Sequence, residues 1–434
     1  MSFFIIVSSS NKYAEYLGGS PTFAGLVIGI PTVFGGLALM PMTRLDKGKG
    51  PCLADSVLLT NTNIGGYALS LHIGCFSAIL GHIVYAMAYR TQFLYMILIG
   101  RCLNGISFTG FMYSKRYCTD PRIVGIRRRT TLASFLVIGQ GLGMSLGPFL
   151  GGLLYKIGFS NQIFNGYTSP GWIMAGVYVI FWIFVALYFE DVPRVTGAES
   201  LPMANTNTMP IDDNSNPITS TNLITSVTRT LMTFLAQFTA EQWGAILCMC
   251  WFSMTCFFIL GSWEANLPVF GANTPTLQWS PFAAGNFIAL GGITAFPFLL
   301  ANIFLARRTQ DRKLLAFGTG LGLLGLLVFV SILRSGKVNY GSLFVCWWAI
   351  ALGFNLTTTA TISLLSKQLP PEWNRWSSMA IQYSNYTGRV TGAVWGGSGV
   401  SVGMLHYVGL EIGVVGIGAV LFTTLWRHLK TKTG

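Results

Sequence analysis

Apolar blocks of about twenty residues recur along this chain, near 22 to 42, 66 to 88, 93 to 114, 130 to 154 and 170 to 189, then 243 to 263, 280 to 305, 314 to 333, 341 to 363, 377 to 397 and 404 to 426. At a rise of about 1.5 Å per residue, such a block covers roughly 30 Å, the hydrocarbon thickness of a bilayer. Each predicts one transmembrane helix. Only 9% of the residues are charged, against the roughly 25% with which a soluble domain covers its surface. The pattern predicts an all-α, multi-pass membrane protein whose surrounding partner is the lipid bilayer. Transmembrane β-barrels, disulfide-stapled secreted scaffolds and disordered tails are set aside. The net charge of +13 invites a nucleic-acid reading, but such binders cluster Lys and Arg on a solvated face. Here the cations lie in short loops between apolar blocks, so no nucleic-acid partner is expected.

Two further segments organise the row. Phe3-Phe4-Ile5-Ile6-Val7 precedes Ser8-Ser9-Ser10-Asn11, and seven helical residues rise only about 10 Å. This stub cannot span alone, and it lacks the basic leader and cleavage site of a signal peptide. Between 190 and 240 the composition turns to Pro, Asn, Ser, Thr and acids, with too little apolar surface to offset the entropy of ordering. The expected organisation is an N-terminal helical bundle over 1–190 (the stub of helix 1 plus helices 2 to 6), a polar linker over 191–240 and a C-terminal bundle over 241–434 (helices 7 to 12).

Charge orients the row. Loops after even-numbered helices hold Arg44, Lys47 and Lys49, then Lys115, Arg116, Arg122 and Arg127 to Arg129, then Arg194 and Arg229, Arg307, Arg308, Arg312 and Lys313, Lys367 and Arg375, and a basic tail. The alternate loops hold only Lys12, Arg90, Lys156, Arg334 and Lys337. The positive-inside rule places the linker and the C-terminus in the cytoplasm. Residue 20 then lies outside, and a cytoplasmic N-terminus would need one more crossing, so the first helix is expected to be largely truncated.

Several motifs now resemble the major facilitator superfamily. Arg44-Leu45-Asp46-Lys47-Gly48-Lys49 and, at the equivalent place in the second half, Arg307-Arg308-Thr309-Gln310-Asp311-Arg312-Lys313 resemble degraded copies of its cytoplasmic loop motif. Gly100-Arg101-Cys102-Leu103-Asn104-Gly105 resembles its fourth-helix motif, and Gly143-Met144-Ser145-Leu146-Gly147-Pro148-Phe149-Leu150-Gly151-Gly152 its fifth-helix antiporter motif. Gly143, Gly147 and Gly151 recur every four residues, a smooth ridge that admits a neighbouring backbone, and Pro148 frees a carbonyl. The ridge is expected to serve packing, a hinge or a proton-leak barrier. A narrower likeness, in Lys12 to Pro21, in Arg116-Tyr117-Cys118-Thr119-Asp120 and in Phe164 to Trp172, is to the vacuolar SPX-type phosphate transporters and their fungal and lysosomal relatives. It covers most of residues 11 to 190. Arg389 matches that family's eleventh-helix Arg, but Ala393 stands where the family carries an acid, and no SPX domain is present. What the resemblance implies is a fold of two pseudo-symmetric six-helix bundles, a solute site between them and a vacuolar or lysosomal membrane.

Ionisable groups at membrane depth cost about 2.5 to 3.5 kcal/mol or more on insertion scales, so each needs a partner or a watery cavity. Arg101 lies about nine residues into the fourth helix and Arg389 about a dozen into the eleventh. One from each half, they could clamp an anion bidentately, or each could lock packing. Glu264 ends the seventh expected span, beside Asn266 and a Pro268 expected to interrupt the helix; it is either a proton-coupling carboxylate or a hydrated interfacial one. Glu411 is expected at the interface. Asn355 and its Thr neighbours in the tenth helix, and Gln382 and Asn385 in the eleventh, either line the pathway or glue helices. His72, His82 and the eight cysteines are read as structural; no metal or cofactor is expected. The leading function is secondary active transport of a small, phosphate-like solute by a monomer, driven by a proton or an exchanged anion. A chloride-type channel and a drug/proton antiporter are the alternatives, and an enzyme is disfavoured.

Overall fold

The computed structural model describes residues 1–45, 67–119, 126–191, 239–305, 309–369 and 374–430. Asp46, Lys47, Asp120 and nearly all of the expected linker lie outside them. Among the described residues the regular elements are α-helices: α1 (Ser10–Tyr16), α2 (Pro21–Leu45), α3 (Ala68–Thr91), α4 (Leu94–Ser107), α5 (Thr109–Thr119), α6 (Ile126–Ile157), α7 (Ser169–Tyr188), α8 (Ala240–Asn273), α9 (Pro281–Leu305), α10 (Asp311–Ser335), α11 (Tyr340–Gln368), α12 (Asn374–Val402) and α13 (Met404–Leu425). Within hydrocarbon a chain must satisfy its own backbone, which is why each apolar block closes into a helix. Nine described stretches are long and apolar enough to cross a bilayer, one of them joining α4 to the start of α5. The two long helices outside that set, α6 and α12, are the Gly-rich, more polar ones. The protein is an integral, multi-pass membrane protein.

One expectation fails at the seventh span. Instead of stopping near 263 and breaking at Pro268, α8 runs on to Asn273 with Pro268 inside it. The ring removes only the N–H that would reach the Glu264 carbonyl, a loss that packed membrane helices tolerate. Glu264 is therefore nine residues inside the helix, not at its end. Polar caps close several ends: Thr239 forms a capping box with Gln242 at the start of α8, and Asn339 with Ser342 at the start of α11. Asp191, just past α7, accepts from the Tyr67 and Ala68 amides at 2.7 and 3.2 Å and caps α3.

Glycine sets the closest helix approaches. A Cβ built on Gly81 of α3 would stand 2.6 Å from the Gly100 carbonyl of α4, and one on Gly318 of α10 would stand 2.6 Å from the Gly353 carbonyl of α11. The Gly143, Gly147, Gly151 ridge of α6 receives Met1, Phe4 and Ile5, so the stub lies as successive turns along that ridge with Ile5, Ile6 and Val7 buried. α12 repeats the device: Gly388, Gly392 and Gly396 receive Met254, Phe258 and Ser262 of α8. Between the helices before and after the linker, two seams close. α2 meets α12 at Gly25 against Ala393, Gly29 against Val390 and Gly397 against Pro21; α6 meets α9 at Gly152 against Phe282 and Gly285 against Pro148. Thr22 and Ser398 hydroxyls lie 3.3 Å apart, and Lys156 Nζ sits 4.5 Å over the Phe282 ring.

Candidate functional site

Arg101 and Arg389 converge on one side chain. The guanidinium carbon of Arg101 lies 5.6 Å, and that of Arg389 4.6 Å, from the centre of the Phe3 ring. Phe4 gives Arg389 a second aromatic face at 5.4 Å, and Phe3 packs edge-on against Phe4 and beside Phe108. Phe3 belongs to the stub expected as the remnant of a truncated first helix, and its ring meets a cation from each half. Each aromatic face attracts a cation through its quadrupole, but a quadrupole does not neutralise a charge. The two arginines obtain the rest of their compensation differently.

Arg389 is paired. Its Nη2 donates to Glu264 Oε2, and both groups are buried. The partner is supplied by the unexpected length of α8, which carries Glu264 deep enough to face α12. Glu264 Oε1 keeps no hydrogen-bond partner. Arg101 is fully buried. Its Nε donates to the Val27 carbonyl of α2 at 3.1 Å, while Nη1 and Nη2 have no partner. Among the described residues no carboxylate lies within ion-pair distance of it.

A second buried carboxylate overturns an expectation. Glu411 is not interfacial: it is fully buried, accepting from Ser262 Oγ at 2.8 Å and from Trp263 Nε1 at 2.9 Å, and Ser262 Oγ is 2.6 Å from Tyr407 Oη. Its position two turns into α13 reads as shallow, but α13 packs on the middle of α8, where those donors stand. Three successive residues of α8 thus serve two buried ionisable groups, Ser262 and Trp263 holding Glu411, and Glu264 holding Arg389.

The remaining candidates have local partners. Asn385, one turn before Arg389, accepts from Ser253 Oγ at 2.8 Å and ties α12 to α8. Asn355 donates to the Ala351 carbonyl of its own helix at 2.7 Å, and Gln382 lies one turn before Tyr386 on α12. Asp311 accepts from Ser363 Oγ at 2.8 Å, tying α10 to α11. Arg312 donates to Gln310 and to the Trp426 carbonyl, both at 2.9 Å, with the Trp426 ring 4.7 Å away. Gly143, Gly147 and Gly151 hold the Phe3-bearing segment, and Pro148 offers its carbonyl side to Gly285. Around Arg101 lie His82, expected to be structural, Asn104, noted only as part of the fourth-helix motif, and Tyr85, not singled out by the sequence. Their signal was readable: His82 and Tyr85 share one face of α3 at a spacing of three, as Arg101 and Asn104 do on α4.

Comparison with known proteins agrees with this architecture. A family model described as Major Facilitator Superfamily matches residues 1–404. The chain is 30% identical over 439 residues to an uncharacterised MFS-type transporter, C613.02, of Schizosaccharomyces pombe (strain 972 / ATCC 24843), covering 100% of this chain and 80% of that one. It is 29% identical over 197 residues to an SPX domain-containing membrane protein of Oryza sativa subsp. indica, covering 44% of this chain and 25% of that one. Among solved structures, a bacterial homologue of the human lysosomal transporter Spinster, inward-facing and occupied, superposes with a TM-score of 0.68 at 13% identity, over 98% of this chain and 93% of that one. The chain belongs to the Major Facilitator Superfamily of membrane transporters.

Proposed function

We propose that this transporter carries a small anionic, phosphate-like solute by alternating access, as a monomer, in a vacuolar or lysosomal membrane with its C-terminus in the cytoplasm. The observation that carries the reading is the shared Phe3 ring: two guanidinium groups, one from each half, lie within 5.6 Å of its centre. Two like charges this close in a low-dielectric interior are costly, and one is already neutralised by Glu264. An anion reaching the other would complete the balance. Rocking of the two bundles about that point exposes it to one side and then to the other. The tight seams at the Pro21, Gly397 and Phe282 end, which the charge asymmetry places outside, mark a conformation closed to the exterior. Glu264 is the proposed coupling group, because protonating it releases Arg389 to bind substrate.

Uptake of inorganic phosphate into proteoliposomes tests this. Saturable uptake that follows a pH gradient, and loses that dependence in Glu264→Gln, supports the reading. Uptake that neither saturates nor follows the gradient would assign the chain to the channel class instead. A disulfide between Thr22→Cys and Ser398→Cys is expected to stop turnover and to restore it on reduction, since the two hydroxyls face one another across the closed seam.

A further inference from the structure

Glu411 is the buried carboxylate that the proposed transport cycle leaves unused, and its surroundings differ from those of Glu264. Among the described residues no Lys, Arg or His lies within ion-pair distance of it, and its titratable neighbour is Tyr407 of its own helix. The charges of the helices packed on α13 are placed elsewhere. Glu264 of α8 and Arg389 of α12 hold one another, and Asp311, Arg312, Lys313 and Arg334 stand in the first and last turns of α10. None of these offsets a lone charge at this depth. The uncharged acid fits the observed contacts: its carbonyl takes the Trp263 indole N–H at 2.9 Å, and its O–H meets Ser262 Oγ at 2.8 Å. A hydroxyl accepts as readily as it donates, and Ser262 has a second neighbour in Tyr407 Oη at 2.6 Å.

We infer that Glu411 is a positioning residue, an uncharged clamp that sets the rotation of α8 and with it the presentation of Glu264 to Arg389. The inference rests on the transport reading only in taking Glu264 as the coupling group. One carboxyl grips two successive residues of α8, one with each oxygen. Successive side chains on a helix diverge by about 100°, so α8 cannot turn or slide without breaking one of the two bonds. The next residue along is Glu264. Trp263 is wedged as well, stacked on Trp347 of α11 at 6.2 Å and edge-on to Phe329 of α10 at 4.9 Å. On its other side α8 meets Gly388, Gly392 and Gly396 of α12, which set the distance of approach but present no side chain to resist turning. Beyond the Glu264–Arg389 pair itself, the bond that ties this stretch of α8 to α12 runs from Asn266 to the Gly396 carbonyl, 2.9 Å. The clamp from α13 therefore decides which way Glu264 faces.

Infrared difference spectroscopy of the purified full chain in detergent tests the clamp without any solute. Subtracting the Glu264→Gln spectrum in each background isolates the Glu264 carboxyl, whose protonation is then followed against pH. Trp263→Phe, which keeps a ring and loses the indole donor, is expected to shift that midpoint by about one pH unit, tenfold in proton binding. Glu411→Met, which keeps the bulk and loses both bonds, is expected to do the same. Glu411→Gln mimics the uncharged acid and is expected to leave the midpoint in place. Trp251→Phe is the control: its indole donates to the Val414 carbonyl at 3.1 Å and joins the same two helices, more than three turns before Trp263, so its loss is expected to shift nothing. A wild-type midpoint in Trp263→Phe, an equal shift in Trp251→Phe, or an ionised-carboxylate signal for Glu411, read as the band that Glu411→Gln removes, overturns the inference. If Trp263→Phe fails to fold, Ser262→Ala decides in its place. Phosphate uptake absent from wild-type proteoliposomes, with the infrared shifts as expected, would sink the transport reading and keep the clamp. Uptake that follows the pH gradient, with a Glu264 midpoint indifferent to both Trp263→Phe and Glu411→Met, would do the reverse.

Discussion

The crossing of α3 with α4 and the crossing of α10 with α11 are one joint built twice. In each, two glycines bring backbones together at the same 2.6 Å limit, Gly81 with Gly100 and Gly318 with Gly353. A polar residue follows one turn on and stands against the first glycine, Asn104 in one copy and Thr357 in the other. The cargo differs. Phe354 stands where the first copy has Arg101, and Thr319 where it has His82. In the second copy the polar atoms are used up: Thr319 and Thr357 hydroxyls lie 3.4 Å apart, and Thr357 donates to the Gly353 carbonyl at 3.0 Å. In the first copy both Asn104 amide atoms stay unpaired, and His82 has a partner only at Nε2, which lies 2.7 Å from Ser2 Oγ. Identical backbone geometry with opposite polar satisfaction separates the two roles that a small-residue motif can have. The glycines are architecture in both halves, and of the two joints only the first leaves buried polar side-chain atoms without a partner.

The largest effect should follow from removing that cargo. Arg101→Ala and Arg389→Ala are each expected to reduce transport at least about a hundredfold, the scale set by losing a bidentate contact to a charged group, with membrane abundance near normal. Phe354→Leu, at the position matching Arg101, is expected to keep most of the activity. Uptake assays normalised to surface protein decide it. Loss of both arginine variants from the membrane would make them structural locks, and an inactive but abundant Phe354→Leu would erase the distinction between the copies.

How much of this the residues disclosed depends on range. The spans were legible because a helix in hydrocarbon needs about twenty apolar residues, a local requirement written in consecutive positions; α2, α9 and α13 begin or end within a few residues of expectation. The end of α8 was not, because Pro268 stops a helix in water and not in a packed membrane bundle. That error misplaced Glu264 and hid its pairing with Arg389. Glu411 was misjudged for a related reason: depth along a helix says nothing about which donors the neighbouring helix presents. Arg101 and Arg389 stood out as costly ions, but Phe3 did not, since nothing in Phe3-Phe4-Ile5-Ile6-Val7 separates a ring that meets two cations from one that fills space. Satisfaction of polar atoms is a property of pairs of helices, so His82, Tyr85 and Asn104 emerged only when α3 met α4.

Intermediate effects should be equal across the two copies. Gly81→Ala and Gly318→Ala each push a Cβ into a facing carbonyl, and overpacking of this kind costs about 1–3 kcal/mol. Thermal unfolding of the two variants in detergent is expected to show similar losses. A much larger loss at Gly81 would mean that the first joint carries stability as well as its cargo, and the shared-architecture argument would fail.

The smallest effect tests the second copy by itself. Thr357→Val keeps the shape of the side chain and deletes its hydroxyl, removing the contact with Thr319 and the bond to the Gly353 carbonyl. Net worth per neutral hydrogen bond is about 1 kcal/mol, and Thr319 can still turn its hydroxyl back to its own helix, so the loss should stay near that figure. Transport should not change. That combination, a measurable drop in unfolding temperature with unaltered uptake, is what a purely structural polar pair produces. If uptake fell instead, the α10–α11 joint would also reach the solute, and the asymmetry between the two crossings would be one of degree.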